Sequence, residues 1–127
     1  MNFKRLRVLN TDKLTPLEFS TNWNNKLECN CFTTIRIFNQ TKHFRGNHFE
    51  VYLQKKSRFE AVVLGITMTK LDELNDYVCY LDTGYNKAET IAIFRKMYPR
   101  IDFNNQKICI ILLKKIEPLK AVQSKLF

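Results

Sequence analysis

The sequence predicts an α+β domain: a run of strands, then helices, closed by one last strand. Three observations predict it. From Thr15 to Thr69 the apolar residues fall in short β-branched and aromatic runs. From Leu71 to Tyr98 they recur at helical spacing. From Ile108 to Leu113 they form a continuous strand-length stretch. Strands grouped ahead of helices point to α+β rather than an alternating, doubly wound sheet. A length of 127 residues fits one domain. A composition that is 45% hydrophobic, with ten Phe, excludes a wholly disordered chain.

Taken in order, residues 15–19 read as a short strand. Ser20 or Thr21 then caps a helical turn running through Trp23 and Leu27. Residues 32–38 (FTTIRIF) are a strand by their β-branched and aromatic content. Residues 39–47, polar and containing Gly46, form a loop, and residues 49–53 alternate as the next strand. Residues 59–69 are a long apolar strand in which Gly65 marks a bulge or a barrel bend. Leu71, Leu74 and Val78 then open a helix, with Thr69 as N-cap and Asp72 in its first turn.

Asp82-Thr83-Gly84 ends that helix. Asn86 caps a second one, with Glu89 completing a capping box. Pro99 stops it. Residues 107–116 close the fold as a strand expected to be central in the sheet and covered on both faces. Residues 14–117 are therefore the domain. Residues 1–13 are a basic arm with Lys4, Arg5 and Arg7, and residues 118–127 are a tail.

Lys plus Arg number 21 against 12 Asp plus Glu, a formal charge of +9. Such a surplus favours a polyanionic partner, RNA or a nucleotide first among them. No apolar run approaches the roughly 18 residues of a membrane span, and no signal peptide is recognised. The expected setting is cytoplasmic, with Cys29, Cys31, Cys79 and Cys109 as thiols. Cys29-X-Cys31 lacks the spacing of a zinc knuckle, and no metal or cofactor motif occurs. Asp82-Thr83-Gly84 has the letters of an aspartic-protease turn. It lies between helices, however, and that chemistry needs two such carboxylates in a β setting.

Three local motifs, in order, resemble the ASCH branch of the PUA-like RNA-binding superfamily. Phe32-Thr33-Thr34-Ile35-Arg36 resembles the family's threonine–X–arginine strand. Phe44-Arg45-Gly46-Asn47-His48-Phe49-Glu50-Val51 resembles the turn and strand that follow it. The helical pair with Tyr98-Pro99 before the last strand resembles the remainder. The resemblance covers residues 17–117. It implies a PUA-like mixed β-barrel with flanking helices and a cleft between them. It also implies RNA or nucleotide binding or, in small amidohydrolase members, removal of the acetyl group from N4-acetylcytidine nucleosides. Those members use a lysine three residues before the motif threonine, that threonine, and a downstream acid. Thr34 and Arg36 fill the threonine and arginine positions, and Asp82 lies near the acidic one. The lysine position holds Cys31, and the nearest upstream lysine is Lys26.

The candidate catalytic residues are thus Thr34, Asp82, and either Cys31 or Lys26 in place of the lysine. Strand alternation sends Thr34 to one face with Phe32 and Arg36, and Thr33 to the other with Ile35. Arg36 is the candidate phosphate or base contact, and Trp23, Tyr85 and Tyr98 are candidate stacking platforms. Lys42, Arg45, Lys55, Lys56 and Arg58 are expected to form one phosphate-contacting rim. A further alternative uses the barrel without chemistry, as a protein-binding adaptor of the kind phage and mobile elements encode. The sequence does not specify an oligomeric state.

Overall fold

In the protein, a computed structural model describing residues 14–116, β1 (Thr15–Phe19), β2 (Cys31–Ile37), β3 (His48–Leu53), β4 (Lys56–Thr69) and β5 (Ile108–Lys115) form one sheet. The strand order is β1-β3-β4-β5-β2. β1 runs parallel to β3, and the other pairings are antiparallel. The mixed sheet curls into a half-barrel flanked by helices, as the α+β reading requires. The expected basic arm and tail, and residue 117, lie outside the described residues.

The curl follows from the strand sequences. β4 is fourteen residues long and shifts register between Val63 and Gly65. This is the bulge that the glycine marked, and bulges bend the strand that carries them. β2 and β1 are the two edges. They share no ladder, but the curl brings Phe19 of β1 against Phe32 of β2, edge to face at 6.4 Å.

Side-chain alternation divides the apolar residues into two cores. Phe32, Phe49, Val51, Ala61, Val63, Ile111 and Leu113 fill the concave side with Leu17, Phe19 and Leu27. Ile35 and Ile108 face the other way, onto the helices, with Leu71, Leu74, Cys79, Phe94 and Phe103. Thr34 and Arg36 therefore look into the concave side and Thr33 toward the helices, as alternation predicts.

Three expectations are corrected. The helix foreseen from Leu71 divides into a 3-10 turn, Leu71–Glu73, and α1, Asp76–Thr83. Leu74 takes an extended conformation (ψ 142) that ends the turn. Asn75 is the N-cap of α1, its side chain accepting from the Tyr77 and Val78 N–H groups. Thr69 instead ends β4, its hydroxyl donating to the Lys70 carbonyl. The turn through Trp23–Glu28 is a 3-10 helix whose N-cap position is Asn22, not Ser20 or Thr21. β5 is flanked by β4 and β2, but only its first half is covered on both faces: Leu112 and Lys114 are exposed. α2, Lys87–Met97, carries the expected capping box between Asn86 and Glu89.

Replacing Asn75 with Ala removes two hydrogen bonds from otherwise unpaired helix-end N–H groups. The expected cost is about 1 kcal/mol, read as a lower urea midpoint at unchanged m. A midpoint equal to wild type would contradict this placement of the α1 start.

Candidate functional site

The site begins in the 3-10 helix Trp23–Glu28. Asn24 and Asn25 both sit at φ 55, a left-handed conformation that Asn tolerates better than most residues. Asn22 steadies the turn by accepting from the Leu27 N–H at 2.9 Å. Leu27 is wholly buried and fixes the turn to the concave core.

Asn24 then reaches α1. Its side-chain amide donates to the carbonyls of Tyr80 and Leu81 at 3.3 and 3.1 Å. The Tyr80 carbonyl also accepts from the Gly84 N–H at 2.9 Å, and the Leu81 carbonyl lies in the last turn, where helix carbonyls lack partners within the helix. Gly84 closes the same helix at φ 83, and a Cβ there would stand 3.5 Å from the Asn24 side chain. The turn and the helix end are thus fitted to each other.

Between them lies a buried ion pair. Lys26 Nζ donates to Asp82 Oδ1 at 3.0 Å, with both side chains 5% exposed. Thr33 Oγ1 donates to the same oxygen at 2.8 Å. One carboxylate oxygen therefore joins the turn, β2 and α1. Burial holds the Lys26 ammonium below its ordinary value of 10.5, while the charge and hydrogen bond of Asp82 oppose that shift.

Arg36 makes the second junction. Its Nε donates to Thr34 Oγ1 at 2.9 Å, and its Nη2 donates to the Glu18 carbonyl at 2.9 Å. Its guanidinium lies over the Phe19 ring, 4.6 Å from the centroid, a cation–π arrangement. Arg36 thereby fastens edge β2 to edge β1 where no ladder does. Because Thr34 Oγ1 accepts from Arg36, its own proton is left to donate elsewhere.

Lys26, Thr34, Arg36 and Asp82 line one cleft of about 330 Å³ between half-barrel and helices, a size suited to a small ligand. Trp23 and Tyr98 add aromatic wall. Trp23 stacks edge to face on Tyr85 at 6.2 Å, and Tyr98 leans on Phe94 at 5.5 Å. Thr34 is only 2% exposed, so the cleft is the approach to its hydroxyl.

The structure thus brings together Thr34, Arg36, Trp23, Asp82 and Lys26. It does not bring Cys31 to them: that thiol is exposed at the start of β2 and does not line the cleft. Lys26 is the cleft's lysine, although among the described residues its amine bonds Asp82 and not Thr34. The expected basic rim divides. Lys42 lines an adjoining cleft. Arg45 and Lys55 lie beyond opposite ends of β3, six residues long and so roughly 20 Å, with Lys56 beside Lys55. Arg58 pairs with Glu28 at 3.0 Å. Sequence reasoning missed Thr33, which strand alternation placed correctly on the helix side but whose partner lies 49 residues away. It also missed Glu18, which enters through a backbone carbonyl that no sequence pattern marks.

Neither a family model nor a curated protein matches the chain. A solved structure does: protein EF3133 from Enterococcus faecalis V583, of the family DUF984. The TM-score is 0.58 at 9% identity, over 90% of this chain and 89% of that one. The likeness extends to the fold alone. Among the described residues no helix is long and apolar enough to cross a membrane.

A lysine whose folded pKa is depressed binds fewer protons than its unfolded counterpart between the two values, so stability rises with pH across that window. Lys26 is expected to titrate below 10.5 by carbon NMR of its side chain. Stability should rise as pH approaches 10.5 from below, and Lys26→Met should flatten that rise. An ordinary titration of Lys26 would contradict the burial argument.

Proposed function

We propose that the cleft binds a nucleoside or nucleotide, free or within RNA, and that Thr34 and Arg36 are its central contacts. The observation that carries this reading is the convergence of a hydroxyl donor, a guanidinium and an amine–carboxylate pair on one cleft with aromatic walls. Nucleobases present a flat π-face and an edge of donors and acceptors. Such walls and such groups suit both. The +9 charge favours the anionic members of the class.

One observation favours a second reading, hydrolysis of an N4-acetylated cytidine. The ASCH amidohydrolases resembled here use a lysine, a threonine and an acid, and Lys26, Thr34 and Asp82 all line this cleft. The lysine comes from a different element than in those members. In this reaction water adds across the amide, the C–N bond breaks, and cytidine and acetate leave. Thr34 would present its hydroxyl at the carbonyl. Lys26, with its proton loosened by burial, would take up and return a proton.

Two measurements on the wild-type chain test the pair. Calorimetric titration with N4-acetylcytidine, cytidine and a short RNA should show binding, weakened at least about tenfold by Arg36→Ala, the scale of a lost charge-assisted hydrogen bond. RNA binding should fall as salt rises. Chromatography of N4-acetylcytidine incubated with the protein should show cytidine released, and none with Thr34→Ala. Binding without release would remove the hydrolase reading. Binding of none of the three ligands would remove both.

A further inference from the structure

The cleft does not end at Arg36. A second hollow of about 420 Å³ opens on its far side, and Glu18, Arg36 and Tyr98 line both. Its other walls include Phe38, Asn39, Lys42 and His43. The loop that carries them is held in shape. Asn39 Oδ1 accepts from the N–H and the hydroxyl of Thr41 at 2.9 and 2.7 Å. The N–H groups of Lys42 and His43 both donate to the Asn39 carbonyl. Asn47 donates to the Lys42 carbonyl at 2.7 Å. Lys42 therefore projects from a fixed backbone.

The cations of this second hollow, Arg36 and Lys42, share it with one acid, Glu18, which acts on Arg36 from beyond ion-pair distance. Among the described residues no carboxylate lies within ion-pair distance of Lys42 or Arg36. Arg36 commits Nε and Nη2 to protein oxygens. No described residue accepts from its Nη1. His43 accepts from the Asn39 N–H on Nδ1 at 3.0 Å, so it is neutral there. Burial, with Arg36 and Lys42 as the next causes, holds its pKa below the ordinary value. The same two cations that discourage a proton on His43 would attract an anion.

We propose that this second hollow is a phosphate subsite: the ligand spans Arg36 with its base end in the first hollow and a phosphate between Arg36 and Lys42. The inference rests on the nucleoside-binding reading and narrows it to phosphorylated ligands. A guanidinium with free donors and a nearby ammonium are the usual partners of phosphate oxygens. A free nucleotide and a strand of RNA offer the same group, so both are sources for it.

The test compares cytidine, its 5′- and 3′-monophosphates and a short cytidine-containing RNA by calorimetry on the wild-type chain. At least one monophosphate should bind at least about tenfold more tightly than cytidine, the increment of a charge-assisted contact. Lys42→Ala and Lys42→Glu should shrink that ratio in this order. RNA binding far more tightly than either monophosphate, with the same dependence on Lys42, would identify the strand as the source. Equal affinity for cytidine and both monophosphates, or a ratio unaltered by either Lys42 variant, would overturn the subsite and leave the nucleoside reading standing. Binding of none of these ligands would overturn the nucleoside reading, and the subsite with it.

Discussion

A single carboxylate oxygen organises the site. Asp82 Oδ1 receives the Lys26 ammonium and the Thr33 hydroxyl, so a 3-10 turn, a strand and a helix are tied at one point. Two charges removed from water are costly, and only close pairing with further hydrogen bonds offsets that cost. Removing one partner leaves the other buried and unmatched, a loss on the order of 3–5 kcal/mol. The pair therefore specifies geometry more than it adds stability. It fixes how far the turn stands from α1, and hence the width of the cleft.

Arg36 plays the complementary part on the sheet side. An open half-barrel has two edges that could drift apart. Here the guanidinium bonds Thr34 on its own strand and the Glu18 carbonyl on the other edge, and lies on Phe19. The residue best suited to meet a ligand is thus also the clasp of the seam. This coupling ties the fold to the ligand: whatever displaces Arg36 from the Glu18 carbonyl also loosens β1 from β2. Lys26 and Arg36 also repel one another across the cleft, so an anionic or electron-rich ligand between them relieves a tension already present.

Much of this was legible in the sequence because it is local. Period-2 alternation gave Thr34 and Arg36 a common face, Gly65 marked the bulge, and Asn86 with Glu89 announced a helix start. Other features were hidden for physical reasons. The break at Leu74 and Asn75 lies inside an apolar pattern that reads as unbroken helix, and only a backbone angle reveals it. Lys26 and Asp82 are 56 residues apart. Their meeting depends on Asn24 and Asn25 adopting left-handed conformations that composition does not announce. The basic rim failed for a related reason: residues close in sequence were separated by the length of β3.

The most direct test of the organising role given to the Lys26–Asp82 pair is a double-mutant cycle with Lys26→Met and Asp82→Leu, read by urea unfolding. Each single variant is expected to be strongly destabilised, and the double variant to recover a large part of the loss. The coupling energy should be at least about 3 kcal/mol, the size of one single loss. Two single losses that simply add in the double variant, to within about 0.5 kcal/mol, would contradict it.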